Sequence, residues 1–397
     1  MKVLQINSVC GYGSTGNIVV DLYRALKEQG HECCVAYGRG NAPEDVQSYR
    51  IGSDVDVYVH GILSRITDKH GFYSTRATKR FVHWMKEYDP DVIHLHNLHG
   101  YYINIEILFD ALKQMDKPVV WTLHDCWAFT GHCAYFEYAG CDKWKTRCQK
   151  CPLKKEYPTS LFFDNSKNNY IRKQKVICEL DRMTIVTPSQ WLKNLVEESF
   201  LQKYPSEVIH NGIDLNIFHP TYKNLKEKYG LQDKKIILGV ASEWGKRKGL
   251  QDFFKLSDLL DNRYQIVIIG HIDVTPPERN NITYISRTND REELAAWYTE
   301  ADVFFNPTYE DNYPTVNLEA QACGTPVITY DTGGSPEGVK NGNGMIVPQG
   351  ALQEVVFRLE NRDYSSALKN KGMFSKESML KEYIKLYQEQ QQGLMKD

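Results

Sequence analysis

The sequence predicts an α/β protein built from two doubly wound domains, each a parallel sheet with helices on both faces. Short apolar runs of strand length alternate with longer helical patterns along the chain, and they form two series, one before and one after residue 214. Continuous apolar strands separated by helices are typical of parallel sheets that are covered on both sides. The length of 397 residues is also sufficient for two domains.

The first series predicts a domain over residues 1–214. The opening run is too short and polar for an export signal, so we interpret it as a first strand and expect a cytoplasmic protein. The six predicted strands are Lys2–Asn7, Cys33–Tyr37, Val92–Leu95, Val119–Leu123, Ile185–Thr187 and Val208–His210.

The second series predicts a domain over residues 215–374, joined to the first by a hinge at Asp214–Tyr222. The C-terminal segment, 375–397, is expected to form a helix (Ser375–Gln392) whose apolar stripe packs back on the first domain. The five predicted strands are Ile236–Ala241, Gln265–Ile269, Val303–Phe305, Pro326–Thr329 and Met345–Val347.

Composition excludes two classes of protein. Lys and Arg number 48 against 50 Asp and Glu, so there is no global basic field and we expect no nucleic-acid partner. No apolar run approaches the ~18 residues of a membrane span, so any membrane contact should be peripheral.

The stretch Asn306–Ala320 carries the most specific chemical signal. It joins an apolar strand to a helix that Pro314 is suited to begin. Asp311 precedes the helix, and Glu319 follows about a turn inside it. A helix N-terminus attracts phosphate, and neighbouring carboxylates can hold sugar hydroxyls. The combination predicts a site for a sugar nucleotide.

A basic turn, Trp244–Gly249, follows the first strand of the second domain. Its cations Lys246, Arg247 and Lys248 suit a diphosphate, because lysine supplies a point charge and arginine a fork of donors. Open α/β sheets bind ligands at this end of their strands. The alternative is a solvated basic turn.

A glycine-rich segment, Gly11–Gly16, lies between the first strand and a helix predicted to begin near Ile18. It matches the phosphate-binding pattern of dinucleotide enzymes. The second strand ends without an acid but with Arg39, which leaves an NADP-dependent oxidoreductase open. A tight turn with packing glycines is the other alternative.

Histidines end two strands of the first domain. His99 closes the motif His94–His99, and His124 with Asp125 follows Trp121–Leu123 directly. We expect His124 to face the ligand and Asp125 to orient a neighbouring ring or the substrate. Core histidines that only satisfy structural hydrogen bonds are the alternative.

Cysteines are concentrated between residues 126 and 152. Four of them predict a closed tetrahedral zinc site with a structural role, whereas disulfides or free thiols are the alternatives. The predicted ligands are Cys133, Cys141, Cys148 and Cys151.

Together these motifs resemble the retaining GT-B glycosyltransferases of family 4, in the subgroup with a cysteine-rich insert (126–152) that is linked to surface-polysaccharide synthesis. The resemblance covers nearly the whole chain in order. It is carried by Gly13–Gly16, Gly30–Glu32, Thr187–Ser189, Asn211–Asp214, Lys248–Gly249, Asp311-x7-Glu319, Glu319–Val327 and Thr332–Gly334.

The resemblance implies transfer of a hexose from a nucleotide-diphosphate donor to a hydroxyl of a saccharide or lipid-linked saccharide, with retention. Two domains would face a central cleft and close about the hinge. Lys248 and Arg247 would stabilise the leaving diphosphate without a catalytic metal, and His124 would lie near the sugar or acceptor. Asp311 would contact the transferred sugar and Glu319 the ribose. The other implied donor-binding residues are Gly13, Ser14, Thr15, Gly16, Asn317 and Leu318.

Two positions depart from the family pattern. The first carboxylate is Asp311 instead of glutamate, unless Glu310 takes its place, and Ser242 stands where the family has an arginine. These departures keep open a non-catalytic binding protein on a decayed transferase scaffold.

Overall fold

The chain forms two compact units, one of Met1–Ile209 with Leu380–Asp397 and the other of His210–Met379. The structure, a computed structural model, describes residues 1–273, 275–286, 288, 290–340, 344–361 and 375–393. Among these residues, none of the helices has both the length and the apolar character that crossing a bilayer requires.

The first unit contains a seven-stranded parallel sheet in the order β3-β2-β1-β4-β5-β6-β7. Its central strands are completely buried, as in β4, because helices cover both faces of the sheet. The strands are β1 (Lys2–Val9), β2 (Glu32–Arg39), β3 (Ser48–Arg50), β4 (Val92–Leu95), β5 (Val119–Thr122), β6 (Met183–Thr187) and β7 (Ser206–Val208).

Side-chain caps begin several of the helices around this sheet. Ser53 caps the second helix in a capping box with Asp56, and Asn104 caps the fourth. The helices are α1 (Gly13–Glu28), α2 (Asp54–Thr67), α3 (Thr75–Tyr88), α4 (Ile105–Met115), α5 (Ser166–Ile177) and α6 (Gln190–Glu198).

The second unit contains a six-stranded parallel sheet in the order β10-β9-β8-β11-β12-β13. Its strands are β8 (Lys235–Trp244), β9 (Tyr264–Ile272), β10 (Ile282–Ile285), β11 (Val303–Asn306), β12 (Val327–Tyr330) and β13 (Gly344–Val347). Its helices are α7 (Leu225–Lys228), α8 (Leu250–Leu259), α9 (Arg291–Glu300), α10 (Thr315–Ala322), α11 (Glu337–Lys340) and α12 (Leu352–Asn361).

The last described helix, α13 (Lys376–Gly393), belongs mostly to the first unit. Its Tyr383 hydroxyl hydrogen-bonds with Thr122 at 3.0 Å, and its Tyr387 hydroxyl with His94 Nδ1 at 2.6 Å. These buried contacts attach the helix to the strands β4 and β5.

All eleven predicted strands are present, with ends displaced by up to three residues. The sequence missed the edge strands β3 and β10, which are only half-buried and lack a long apolar run. The helix α1 was also predicted too short, because it begins at Gly13 instead of near Ile18.

The strand order identifies the ligand-binding edge of each sheet. β1 pairs with both β2 and β4, and β8 pairs with both β9 and β11, so the direction of winding reverses at β1 and at β8. In open parallel sheets a crevice forms there, at the carboxyl ends of the strands.

Candidate active site

At the carboxyl end of β8, the basic turn packs against the loop that follows β11. Tyr309 N–H donates to Arg247 O at 2.7 Å. Gly249 has a φ of +75°, and a Cβ placed there would lie 2.0 Å from Pro307 O. Only glycine permits this approach, which brings the cations of the turn to the acidic loop.

Lys248, Arg247 and Asp311 form the charged centre of this site. Lys248 is ion-paired with Asp311, and Arg247 Nη1 lies 3.9 Å from the same carboxylate. Arg247 also donates to Glu310 O at 2.7 Å. The structure therefore brings together two of the three predicted cations and the first predicted carboxylate, whereas Lys246 is exposed.

The pKa values show how strongly these charges depend on one another. Burial, together with the charge of Arg247, lowers the pKa of Lys248 although Asp311 opposes the change. Burial alone would raise the pKa of Asp311, but Lys248 and Arg247 hold it below its usual range. The cluster thus combines two basic side chains with one carboxylate, and each of these groups shifts the pKa of its neighbours.

The second predicted carboxylate, Glu319, lies on α10. It accepts a hydrogen bond from the Tyr298 hydroxyl at 2.9 Å, and burial raises its pKa. Asn317 and Leu318 are completely buried. The Asn317 backbone N–H donates to Pro314 O at 3.1 Å, and the part of Asn317 and Leu318 in binding a donor phosphate stays a prediction.

The glycine segment of the first unit forms the first turn of α1 and not a separate loop. Gly13, Ser14, Thr15 and Gly16 are all helical, and Gly11 N–H donates to Gly16 O at 3.1 Å. A Cβ at Gly16 would lie 3.1 Å from the Val9 side chain, which explains the small residue. The helix N-terminus therefore lies directly at the end of β1.

A small pocket at the ends of β4 and β5 holds the predicted histidines. Its lining consists of His96–His99, Trp121–Asp125, Trp127 and Ala128. His124 Nε2 hydrogen-bonds with His96 Nδ1 at 3.1 Å, and burial lowers the pKa of His124 to about 4. His124 is therefore a neutral imidazole at physiological pH.

Asp125 orients the ring of His99. Its Oδ2 lies 2.7 Å from His99 Nε2, and its Oδ1 accepts from Trp127 N–H at 2.9 Å. The other nitrogen of His99, Nδ1, is hydrogen-bonded with the Tyr157 hydroxyl at 2.8 Å. The imidazole of His99 is thus fixed on both sides.

Sequence reasoning did not assign a role to His96. Its buried Nε2 has no hydrogen-bond partner among the described residues, and a buried polar atom of this kind needs one. The available signal was its spacing: His94 and His96 lie two residues apart and so point to the same side of the chain.

The predicted zinc site is not supported. Cys133, Cys141, Cys148 and Cys151 line one small pocket together with His132. Cys133 and Cys151 instead hydrogen-bond to each other, and Cys148 Sγ accepts from Gly131 N–H. Within the described ranges, no three His, Cys, Asp or Glu side chains are arranged to hold a metal ion.

Two parallel doubly wound sheets, each with polar side chains at the carboxyl ends of its central strands, define a two-domain α/β enzyme of the GT-B class. Comparison with known proteins identifies the family. Residues 15–217 match the model for Glycosyltransferase Family 4, and residues 221–372 match that for Glycosyl transferases group 1. The chain belongs to glycosyltransferase family 4.

Relatives and solved structures agree with this assignment. WcaC of Escherichia coli K12, a glycosyl transferase assigned to colanic acid biosynthesis, is 25% identical over 98% of this chain and 100% of its own. A Campylobacter jejuni N,N'-diacetylbacillosaminyl-diphospho-undecaprenol alpha-1,3-N-acetylgalactosaminyltransferase is 27% identical over 33% of this chain and 37% of its own. HepE from Anabaena, in complex with UDP, has a TM-score of 0.66 at 13% identity, covering 98% of this chain and 100% of its own.

These findings decide between the functions that the sequence left open. The chain is a glycosyltransferase, and 98% of it aligns with a glycosyl transferase named for colanic acid biosynthesis. The assignment to this class rules out the two alternatives, an NADP-dependent oxidoreductase and a non-catalytic binding protein.

Proposed function

We propose that the chain transfers a hexose, with retention of the anomeric configuration, from a nucleotide-diphosphate donor to a hydroxyl acceptor in surface-polysaccharide synthesis. The observation that carries the proposal is the cluster of Lys248, Arg247 and Asp311 at the carboxyl end of β8. A site with an excess of positive charge at this edge suits the diphosphate of the donor.

The slow step of such a transfer breaks the bond between the sugar and the diphosphate, so negative charge grows on the leaving group. Lys248 and Arg247 are fixed cations held by the packing of the basic turn on the Pro307–Asp311 loop. Preorganised charges stabilise a leaving group without the cost of reorienting solvent. In this proposal they supply the stabilisation, and no cofactor takes part in catalysis.

The ion pair of Lys248 with Asp311 gives the carboxylate a second role. A diphosphate that binds Lys248 competes with Asp311 for the ammonium group, so donor binding releases the carboxylate. The freed carboxylate can then accept a hydrogen bond from a hydroxyl of the transferred sugar. In this proposal Asp311 fills the role of the glutamate that the family pattern has at this position.

Glu319 is proposed to bind the ribose of the donor. Glu319 lies on α10, and the Tyr298 hydroxyl donates a hydrogen bond to its Oε2, which positions the carboxylate. The positioned carboxylate can still accept hydrogen bonds from a ligand. Two neighbouring hydroxyls on a ribose suit a carboxylate, which can accept hydrogen bonds at both oxygens.

The acceptor is proposed to bind in the pocket lined by His96, His99 and His124. Neutral His124 can accept a hydrogen bond from a hydroxyl, and the free Nε2 of His96 can contact the same ligand. A lipid-linked saccharide is the acceptor class that the Campylobacter jejuni relative's name indicates. Such an acceptor implies a cytoplasmic enzyme that is peripheral to the inner membrane face.

The test is a thermal-shift screen of nucleotide sugars followed by a transfer assay. A donor that binds the folded chain should raise its melting temperature, because ligand binding stabilises by mass action. The stabilisation should vanish in Lys248→Ala and remain in Lys246→Ala, which removes an exposed cation from the same turn. If no nucleotide sugar stabilises the wild-type chain, the proposal fails.

A further inference from the structure

The helix α2 exposes apolar side chains and buries small or polar ones. Its buried residues are His60, Gly61 and Ser64. Spacings of three and four residues place its exposed apolar residues on one stripe of the helix. Those residues, with their exposed fractions, are Val55 (70%), Tyr58 (70%), Val59 (47%), Ile62 (37%) and Ile66 (38%).

A loop continues this stripe beyond the C-terminal end of α2. Leu161, Phe162 and Phe163 are 57%, 67% and 60% exposed. Leu161 N–H donates to Arg65 O at 2.7 Å, which joins the loop to the last turn of the helix. The Ser160 hydroxyl donates to Phe163 O at 2.7 Å and holds the loop in shape. We call these eight exposed residues the α2 surface.

Positive charge is concentrated at the loop end of the α2 surface. Three acids lie there: Asp68 is buried against His132, Asp164 accepts hydrogen bonds from Cys151 N–H and Ser166, and Glu156 is exposed beside Lys155. At the other end of the helix, Asp54 is paired with Arg50 and Asp56 completes the capping box. The cations at the loop end are Arg65, Lys69, Lys154, Lys155 and Lys167.

We propose that the α2 surface docks on the headgroup region of an anionic lipid bilayer. Exposed aromatic and aliphatic side chains beside lysine and arginine match the chemistry of this region, where apolar groups enter the boundary and cations meet anionic headgroups. A protein partner would need acidic side chains placed opposite these cations, whereas an anionic bilayer presents negatively charged headgroups over its whole surface.

The α2 surface is connected to the proposed acceptor pocket within the same unit. Tyr157, on the loop that leads to Leu161, is hydrogen-bonded with His99 Nδ1 at 2.8 Å. His60, on the buried side of α2, packs against the ring of Tyr101 with centroids 5.9 Å apart. Docking would therefore bring the bilayer close to the pocket, although the docking proposal itself does not depend on the identity of the acceptor.

The experiment is sedimentation of the full chain with phosphatidylcholine vesicles that contain or lack phosphatidylglycerol. We expect binding to the anionic vesicles, and a loss of at least ~10-fold in F162S/F163S, because two apolar side chains that would enter the bilayer are removed. R65E/K155E should weaken binding to anionic vesicles in particular. The matched controls are F357S and K385E, which change an exposed phenylalanine and an exposed lysine elsewhere.

Two results would overturn the proposal. One is a wild-type chain that stays in the supernatant with both kinds of vesicle. The other is vesicle binding by F162S/F163S that equals that of the wild-type chain. If that variant also abolishes a wild-type dimer seen by light scattering, the α2 surface is an interface between copies of the chain. Normal melting of each variant shows that it is folded.

Discussion

Replacing Lys248 by alanine removes the cation that is paired with Asp311. At ~4 Å and an effective dielectric of ~20, a cation and a phosphate oxygen attract each other by roughly 4 kcal/mol. Part of that attraction is already offset by Asp311, and Arg247 remains 3.9 Å from the carboxylate. Losing a comparable contact to a developing charge costs ~2.7–4 kcal/mol, so we expect transfer to fall by at least ~100-fold.

The ion pair of Lys248 with Asp311 leads to a second prediction, about donor binding when both residues are changed. In Lys248→Ala the carboxylate of Asp311 loses its nearest cation and repels the diphosphate. Changing Asp311 to asparagine in the same chain removes that repulsion, so the double variant should bind the donor more tightly than Lys248→Ala. Residues in direct contact show such non-additive effects, and a strictly additive cycle would contradict the competition between Asp311 and diphosphate.

The assay follows release of the nucleotide diphosphate and formation of the glycosylated acceptor for each variant. Lys246→Ala, which removes a neighbouring exposed lysine, should keep near-normal turnover. Melting temperatures establish that each variant is folded. Near-normal turnover in Lys248→Ala would refute the leaving-group role.

Three further predictions concern other parts of the molecule. Glu319→Ala should raise the donor KM by ~10-fold or more with a smaller change in kcat, because charged hydrogen bonds contribute ~1.5–3 kcal/mol; an unchanged donor KM would exclude the ribose role. Asp125→Asn, by loosening His99, should raise the acceptor KM by ~10-fold and leave the donor KM unchanged; equal changes in both would point to a general structural defect. Stability should also fall as the pH falls from ~6.5 toward ~4, by up to ~1.4 kcal/mol per pH unit for each buried histidine, because the unfolded chain takes up protons that the folded chain does not. Equal denaturant midpoints at pH 7 and pH 5 would contradict this. Burial lowers the pKa of the histidines concerned, which are His60, His70, His94, His96 and His124.

The sheets could be predicted because their central strands are buried on both faces. A strand such as Val303–Asn306 is apolar over almost its whole length, so the pattern is visible without any partner. The edge strand Ser48–Arg50 is half-exposed and has no such pattern, and only its pairing with β2 makes it a strand. Pairing of this kind depends on the tertiary fold and leaves no local signal.

The position of the site could also be predicted, since loops after parallel strands meet at one edge of a sheet. The sequence did not show that Lys248 would pair with Asp311, because the approach depends on Gly249 packing against Pro307 O. Likewise, the contact of His96 with His124 depends on the side-by-side position of β4 and β5.

The α2 helix shows a further limit of sequence reasoning. A stripe such as Val55, Tyr58, Val59, Ile62 and Ile66 normally indicates the side of a helix that faces the core. Here the opposite side is buried, because small residues at Gly61 and Ser64 allow close packing on the unit. Periodicity locates a stripe, and only the tertiary structure shows whether it is covered.

The most direct test of the central claim is a crystal structure of the chain with a bound nucleotide diphosphate. We expect the phosphates to contact Lys248 and Arg247 at the carboxyl end of β8, with Asp311 released from Lys248 and the ribose hydroxyls on Glu319. A nucleotide bound elsewhere, with the ion pair of Lys248 and Asp311 intact, would contradict it.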